Sequence, residues 1–162
     1  MSAKDLKTDR IYDTTMHVSE AAITETATQI APIGSLLILV RGMGLANGVP
    51  ICEVMNPCAF NQDLKAIHPI TTLISAAFLA FALRRQTTRF NSIMETAAHG
   101  TLKINSDDLR QIPIPLHPLE TQQKIVAELE EDLAAVAGAR RLKTKMEANI
   151  RATIGRVWGE KG

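Results

Sequence analysis

Three glycines between residues 42 and 48 are the first residues whose type and spacing could serve chemistry. Gly42, Gly44 and Gly48 follow a short apolar run, as do the glycines of loops that bind dinucleotides or S-adenosylmethionine. Their spacing misses the dinucleotide pattern by one residue, and Pro50 and a second apolar run follow where that pattern requires a helix. Because an Asn-Gly turn pair closes the segment, we predict a hairpin loop over Arg41–Gly48 and no cofactor.

The cysteines and histidines do not predict a metal site. Cys52 and Cys58 lack the CxxC spacing and have no second pair, so zinc or redox chemistry is disfavoured. The four histidines are scattered without ligand spacing. We interpret the cysteines as small core residues in a reducing, cytoplasmic environment.

The carboxylates do not predict a catalytic set either. Asp107 and Asp108 are adjacent, so they cannot share a helix face, and a solvated helix start after Ser106 explains them better than a nuclease site. Asn56–Cys58 is too short a fragment of the Asn-Pro-Pro-Tyr type of motif that an amino-methyltransferase needs. We therefore expect a protein without catalytic residues.

The composition indicates a globular domain without an overall basic field. The chain has 162 residues, of which 46% are hydrophobic and 22% charged, and its formal net charge is +1. Any contact with nucleic acid must therefore come from a local cluster. The most apolar stretch, Pro69–Leu83, is shorter than the roughly 20 residues of a membrane span, and we predict no membrane contact.

Basic residues cluster between Arg84 and Lys103, where four of them stand against one acidic residue, a local net charge of +3. Such a cluster could contact DNA phosphates. It could equally be a solvated helix end, where the helix dipole favours cations, and the sequence leaves both interpretations open. Under the first, the DNA-contacting residues are Arg41, Asn47, Lys65, Arg84, Arg85, Arg89, Thr101 and Lys103.

These residues need a scaffold of short strands and helices, whose limits follow from turn signals and hydrophobic periodicity. In chain order we predict a frayed or extended segment over Met1–Asp13, a short helix after Ser19, strands over Ser35–Val40 and Ile51–Met55, helices over Thr71–Arg85 and Thr88–Ala97, a strand over Leu102–Ile104, a helical turn capped by Ser106, and an extended connector over Ile112–Pro115.

From Pro118 the pattern becomes that of one long helix. No proline and only two glycines occur over Leu119–Val157, and some 40 helical residues would span about 60 Å. Apolar residues recur at steps of three and four, with a phase slip near Gly138. The preceding domain is too small to cover such a stripe, so we expect a partner helix. The expected interface residues are Val126, Leu129, Leu133, Val136, Leu142, Met146, Ile150 and Ile154.

The charges of this helix reverse from one end to the other. Glu120–Asp132 carries a net charge of −4 and Arg140–Arg156 a net charge of +5. An antiparallel partner of the same kind would bring opposite charges together, whereas a parallel one would align like charges. Complementarity to the helix dipole alone explains the same reversal, and this alternative stays open.

Several segments resemble type I restriction–modification specificity subunits. Leu116–Val126 is similar to the family's "LPPLeEQ–IV" entry to a conserved helix, with His117 in place of a proline. Gly100–Pro115 resembles the closing "G(S/T)…I…DL…IPIP" segment. Pro32–Ile38 resembles the "l–pGDlli" strand, and Phe60–Leu64 resembles "–NQDl". The resemblance runs from about residue 16 to residue 158.

The resemblance implies an α/β (α+β-like) target recognition domain with a mixed or antiparallel sheet and flanking helices, followed by a long helix in an antiparallel coiled coil. We expect the domain over residues 1–117, the helix over 118–158 and a tail over 159–162. The family's recognition domains begin with further strands, so we expect a fragment, a split subunit or a truncated form.

The resemblance also implies the partners and the function. They are double-stranded DNA, DNA adenine methyltransferase subunits, a motor-nuclease subunit, and a second recognition domain or a second copy of this chain. Such a non-catalytic subunit directs methylation and cleavage to a bipartite target. Two alternatives remain: a coiled-coil interaction module that no longer binds DNA, and the recognition tail of a single-chain methyltransferase–nuclease.

Overall fold

The computed structural model describes residues 1–14, 16–25 and 28–158, so the expected tail over 159–162 lies outside the described residues. The strands of the described chain are β1 (Arg10–Ile11), β2 (Gln29–Ala31), β3 (Leu36–Leu39), β4 (Ile51–Val54), β5 (Cys58–Phe60), β6 (Leu64–Ile67), β7 (Met94–Thr96) and β8 (Leu102–Ile104). The α-helices are α1 (Glu20–Glu25), α2 (Ala76–Arg84), α3 (Thr87–Ile93), α4 (Ser106–Arg110) and α5 (Leu119–Val157).

The main sheet has four strands in the order β1-β4-β3-β6. β1 runs parallel to β4, while β3 is antiparallel to both β4 and β6, so the sheet is mixed, as one of the two expected forms. Two smaller antiparallel pairs, β2-β5 and β7-β8, accompany it. The fold is the α/β domain with a long C-terminal helix that the sequence predicts.

The central strand β3 carries the core. All four of its residues, from Leu36 to Leu39, are buried, because a strand that is covered on both faces requires an uninterrupted apolar run. α2 packs against β4 and buries Phe78 and Leu83. α3 adds Phe90, which is 2% exposed. The core therefore joins the sheet to the helices that follow it in the chain.

Two predicted helices have different limits in the structure. The predicted helix over Thr71–Arg85 begins only at Ala76, because Ser75 is extended and its hydroxyl caps the helix by accepting from the Phe78 amide at 3.3 Å. The second predicted helix, over Thr88–Ala97, ends at Ile93. Pairing with β8 makes β7 a strand, so a tertiary contact overrides the local helical pattern.

Two smaller predictions can also be compared with the structure. The N-terminal segment, predicted to be frayed or extended, is extended at β1, which pairs with β4, and the Glu53 amide donates to the carbonyl of Asp9 at 2.9 Å. The cap of α4 is Asn105 rather than Ser106, because Asn105 holds the extended conformation before the helix and Ser106 is its first helical residue.

The long helix is confirmed as a single element of 39 residues, which continues through Gly138. The chain divides into two compact units, the first over Met1–Gln123 and the second from Lys124 onward. The first turn of α5 therefore belongs to the first unit. No helix in the described ranges combines the length and the apolar character that crossing a membrane requires.

The connection between β3 and β4 is the predicted hairpin loop, and its glycines have a structural role. It holds a 3-10 turn over Met43–Asn47, anchored by the buried Leu45. Gly42 (φ 135°, ψ 167°) precedes the turn and Gly48 (φ 112°, ψ 176°) follows it. Essentially only glycine occupies this backbone region, which accounts for two of the three loop glycines.

Replacing Gly42 or Gly48 by alanine should therefore lower the free energy of unfolding by about 1–3 kcal/mol, because each site would store backbone strain. Urea unfolding followed by circular dichroism measures the change. Gly138→Ala is the matched control: it lies in helix with no heavy atom within 4 Å of the added Cβ. This control should be stabilising by about 0.5–1 kcal/mol. Wild-type stability in both loop variants would contradict the described connection.

Candidate nucleic-acid interface

An extension of β3 forms the scaffold of the candidate interface. Beyond the end of β3, the carbonyl of Val40 accepts from the Ile104 amide at 2.8 Å, and the Gly42 amide donates to the carbonyl of Leu102 at 3.0 Å. Just before β6, the carbonyl of Asp63 accepts from the amides of Val40 and Arg41 at 2.8 and 3.2 Å. The extension is thus bonded to β8 and to the residue that precedes β6.

A row of three charged residues crosses this scaffold. Arg41 bridges Lys103 of β8 as an antiparallel pair, and Lys103 in turn lies opposite Glu95 of β7. Directly opposed residues of antiparallel strands present their side chains on the same face. The Lys103 ammonium lies 3.0 Å from the Glu95 carboxylate. We call Glu95, Lys103 and Arg41 the charged row.

The acidic member of the charged row, Glu95, pairs with Lys103. Hydrogen bonds from Lys103 and Asn105 hold the pKa of Glu95 below its ordinary value. Glu95 therefore stays ionised near neutral pH, and its negative charge partly neutralises Lys103. Arg41 is exposed, at the opposite end of the row.

Two further predicted residues lie close to the charged row in the fold. Lys65 is exposed on β6, two residues after Asp63, which bonds the Arg41 amide. Asn47 is exposed at the end of the 3-10 turn, and that turn packs against β8. The hairpin loop, the start of β6 and the β7–β8 pair therefore meet at one end of the sheet.

Arg84 is occupied inside the domain. Its guanidinium lies 3.0 Å from the Asp9 carboxylate, donates to the carbonyl of Ile51 at 2.8 Å, and lies 5.8 Å from the Phe81 ring centroid. These contacts attach the end of α2 to the edge of the sheet. They favour a structural role for Arg84 over a contact with phosphate.

The remaining predicted residues lie on segments next to β7 and β8. Arg85 caps the end of α2, Arg89 follows in α3, and both are exposed. Thr101 is half-buried at the end of the β7–β8 loop, where its carbonyl accepts from the Ala97 amide at 2.7 Å. His99, at the loop tip, has a left-handed φ of 61°. The structure brings Arg41 and Lys103 together, places Lys65 opposite Ile38 of β3, and leaves Arg85 and Arg89 on the connection that precedes β7.

The predicted interface of the long helix is largely open to solvent. Within the second unit, Leu133, Val136, Leu142, Met146, Ile150 and Ile154 are each between 47% and 58% exposed. Val126 and Leu129 are half-buried. Large apolar side chains that recur along one helix in this way mark a surface for a partner.

The cysteines are separate from this surface. Cys52 is buried in β4, and burial raises the pKa of its thiol to about 11. Burial also raises the pKa of the Cys58 thiol. Both thiols are therefore protonated near neutral pH, the form in which a cysteine is a poor metal ligand and nucleophile. The described residues hold no group of three or more His, Cys, Asp or Glu side chains suited to a metal ion.

Sequence reasoning missed two polar side chains in the interior. Ser35 is 2% exposed, and its hydroxyl lies 3.0 Å from Nδ1 of His68. Gln122, in the first turn of α5, is 0% exposed. The one signal in the sequence for its burial was its position in the "LPPLeEQ"-like segment. Hydrophobic periodicity did not predict that burial, because a glutamine at the start of a helix is ordinarily solvated.

Comparison with known proteins decides the family. A sequence model of the type I restriction modification DNA specificity domain matches residues 14–145, which is most of the chain. The chain belongs to this family. The resemblance of the helix entry and of the strand segments is thereby confirmed.

Individual relatives of the family agree in sequence and fold. The EcoR124I/EcoR124II type I restriction enzyme specificity subunit of Escherichia coli is 24% identical over 131 residues, covering 81% of this chain and 32% of the relative. The crystal structure of the HsdS subunit from Thermoanaerobacter tengcongensis is 21% identical with a TM-score of 0.66, covering 94% of this chain and 33% of that one.

A third relative comes from a solved structure on complex assembly and conformational transition of the type I R-M system. It is 25% identical with a TM-score of 0.63, covering 77% of this chain and 29% of that one. The specificity-domain chain thus spans about a third of the length of these relatives. It contains a DNA target recognition domain and a long helix of the family.

Proposed function

We propose that this chain is a DNA-recognition and assembly subunit of a type I restriction–modification complex, which directs adenine methylation and cleavage to a bipartite target. The observation that carries the DNA-binding part is the juxtaposition of Arg41 with Lys103 on a rigid strand pair in a protein of the DNA specificity family. Adjacent cations of this kind are the groups that neutralise phosphates. The surrounding loops would read base edges.

The proposed DNA contacts are a reduced set of those predicted. Arg41 and Lys103 would form the main phosphate contact at the end of the sheet. Lys65, Asn47 and Thr101 would add contacts from the neighbouring segments. Arg85 and Arg89 would extend the contact along the exposed connection. Arg84 would instead hold α2 against the sheet, since its guanidinium already has partners in the domain.

The proposed assembly surface is the apolar stripe of α5. It would pair antiparallel with a like helix, from a second recognition domain or from a second copy of the chain, and its burial at roughly 25 cal/mol per Å² would drive association. The charge reversal along the helix would set the direction more than the strength, since exposed ion pairs contribute only about 0–1 kcal/mol each. Methyltransferase and motor-nuclease subunits would dock on the assembled helices.

The chain would supply specificity without catalysis. The methyltransferase subunits would bind the methyl donor and the target adenine of the DNA, and the motor-nuclease subunit would cut DNA. The proposed site of action is the cytoplasm, where the chromosome and incoming DNA meet the complex.

Two other functions make different predictions. An interaction module that no longer binds DNA would give no shift of a random duplex in a gel at 50–100 mM salt, with or without a methyltransferase subunit. The recognition tail of a single-chain methyltransferase–nuclease would be encoded together with catalytic motifs, which the gene neighbourhood would reveal.

The charged row gives a test of DNA contact through the salt dependence of binding. Arg41→Ala should flatten the plot of log affinity against log salt by about 0.9, the contribution of one phosphate. Glu95→Gln should steepen the plot by a similar amount, because it releases Lys103 from its 3.0 Å ion pair. Fluorescence anisotropy with a labelled random duplex between 50 and 200 mM salt measures both slopes.

Arg110→Ala is the control for these variants, because Arg110 is exposed on α4, pairs with Asp107 at 2.6 Å and is not a member of the charged row. Its slope should equal that of the wild type. The double variant Arg85→Ala/Arg89→Ala should also flatten the slope and weaken binding on all sequences. An unchanged slope there would make these two residues a solvated helix end, and an unchanged slope for Arg41→Ala would exclude the charged row as a DNA contact.

The apolar stripe gives a test of assembly. Leu129→Asp/Leu133→Asp should convert a dimer of the chain into a monomer in light scattering, because buried carboxylates without partners cost far more than the burial gains. The circular dichroism of the recognition domain should be retained.

Ala127→Asp/Ala134→Asp is the matched control, with the same charges on the same helix but at exposed positions one residue beyond Val126 and Leu133. It should remain dimeric. A wild-type chain that is monomeric at high micromolar concentration would rule out the homodimer, and two such helices found parallel in a complex would rule out the charge argument.

A further inference from the structure

Gln122 is an unusual residue for the start of a long helix. Its side chain is completely buried, and the other buried polar or charged residue in the described ranges is Ser35. A buried amide is tolerated only when its hydrogen bonds are made within the protein. The contacts of Gln122 therefore indicate what holds the first turn of α5.

The side-chain amide of Gln122 makes three hydrogen bonds, two to the segment before α2 and one to the connector before α5. Its Oε1 accepts from the Ser75 amide at 2.9 Å, at the residue that caps α2. Its Nε2 donates to the carbonyl of Leu73 at 2.8 Å and to the carbonyl of His117 at 2.8 Å. Both donor hydrogens and the acceptor oxygen are thus in use.

These bonds belong to a closed ring of contacts that links Gln122, Ser75, Phe78 and His117. The Ser75 hydroxyl accepts from the Phe78 amide at 3.3 Å, and the edge of one ring meets the face of the other where Phe78 packs on His117, with centroids 5.9 Å apart. The carbonyl of His117 returns to Gln122. The first turn of α5, the connector before it and the cap of α2 are therefore held as one body by a single side chain.

We propose that Gln122 is a positioning residue, which locks the first turn of α5 to the start of α2 and thereby sets the half-site spacing that the assembled subunit accepts. The spacing part rests on the proposed function. An apolar side chain of the same size would fill the same volume but would lack the three directional hydrogen bonds that fix the orientation of the turn here.

The lock can be tested on the chain alone, without DNA. Gln122→Met retains length and volume and removes all three hydrogen bonds, and the neighbouring exposed Gln123→Met is its matched control. Amide hydrogen exchange should become faster by about tenfold at Ser75 in Gln122→Met and stay unchanged in Gln123→Met. Gln122→Asn, which keeps the amide but is shorter, provides a second variant if the first does not fold.

The spacing claim is tested in the complex with methyltransferase subunits. Duplexes carry the half-sites that the wild-type complex prefers, separated by the preferred spacer or by one base pair more or less. The wild type and Gln123→Met should reject the altered spacers, and Gln122→Met should bind them with at least about tenfold less discrimination while its affinity for one half-site is retained.

The two measurements separate the possible failures. Unchanged exchange at Ser75 in a folded Gln122→Met would overturn the lock. Faster exchange with undiminished spacer discrimination would overturn the positioning role. A wild-type complex without any preferred half-site would overturn the proposed function, and with it the spacing claim, while the exchange result would still decide whether the lock exists.

Discussion

The hydrogen bonding of β3 is the constraint on which the rest of the domain depends. Three of its residues pair with β4 and all four pair with β6, and both faces of the strand are buried, so all four residues are apolar. The strand then runs on past the sheet, and Val40 and Gly42 bond to β8. This continuation holds Arg41 opposite Lys103, because the backbone ladder leaves neither residue another position. The candidate DNA surface is therefore a consequence of how one buried strand ends.

Helix α2 is bonded to other parts of the first unit at both of its ends. At its end, Arg84 bonds the carbonyl of Ile51 and the Asp9 carboxylate, at the edge of the main sheet. At its start, the capping residue Ser75 donates to Gln122. A packed helix resists deformation, so the bonds at the two ends of this nine-residue helix fix the relative positions of the groups that they hold. The edge of the main sheet and the first turn of α5 are thus joined by contacts within one compact unit.

Much of this architecture could be predicted from the sequence, for physical reasons that also explain the errors. The run Leu36–Leu39 is wholly apolar, and α5 is a long stretch without proline. Each pattern is sufficient to predict its element from the local sequence. β7 was missed because Met94–Thr96 becomes a strand only by pairing with β8, and β1 was missed for the same reason. The charged row required that pairing too, so its basic members could be named individually but not brought together. The burial of Gln122 depends on contacts with residues almost fifty positions away in the chain.

Selection from a fully random duplex library tests most directly the proposal that this chain reads DNA sequence. The chain is assembled with methyltransferase subunits, and the bound duplexes are sequenced after several rounds at a stated salt concentration. We expect enrichment of two short half-sites at a constant separation, and the half-site read by this chain should be lost when the recognition unit of another subunit replaces this one. Bound duplexes that stay as random as the starting library would contradict it.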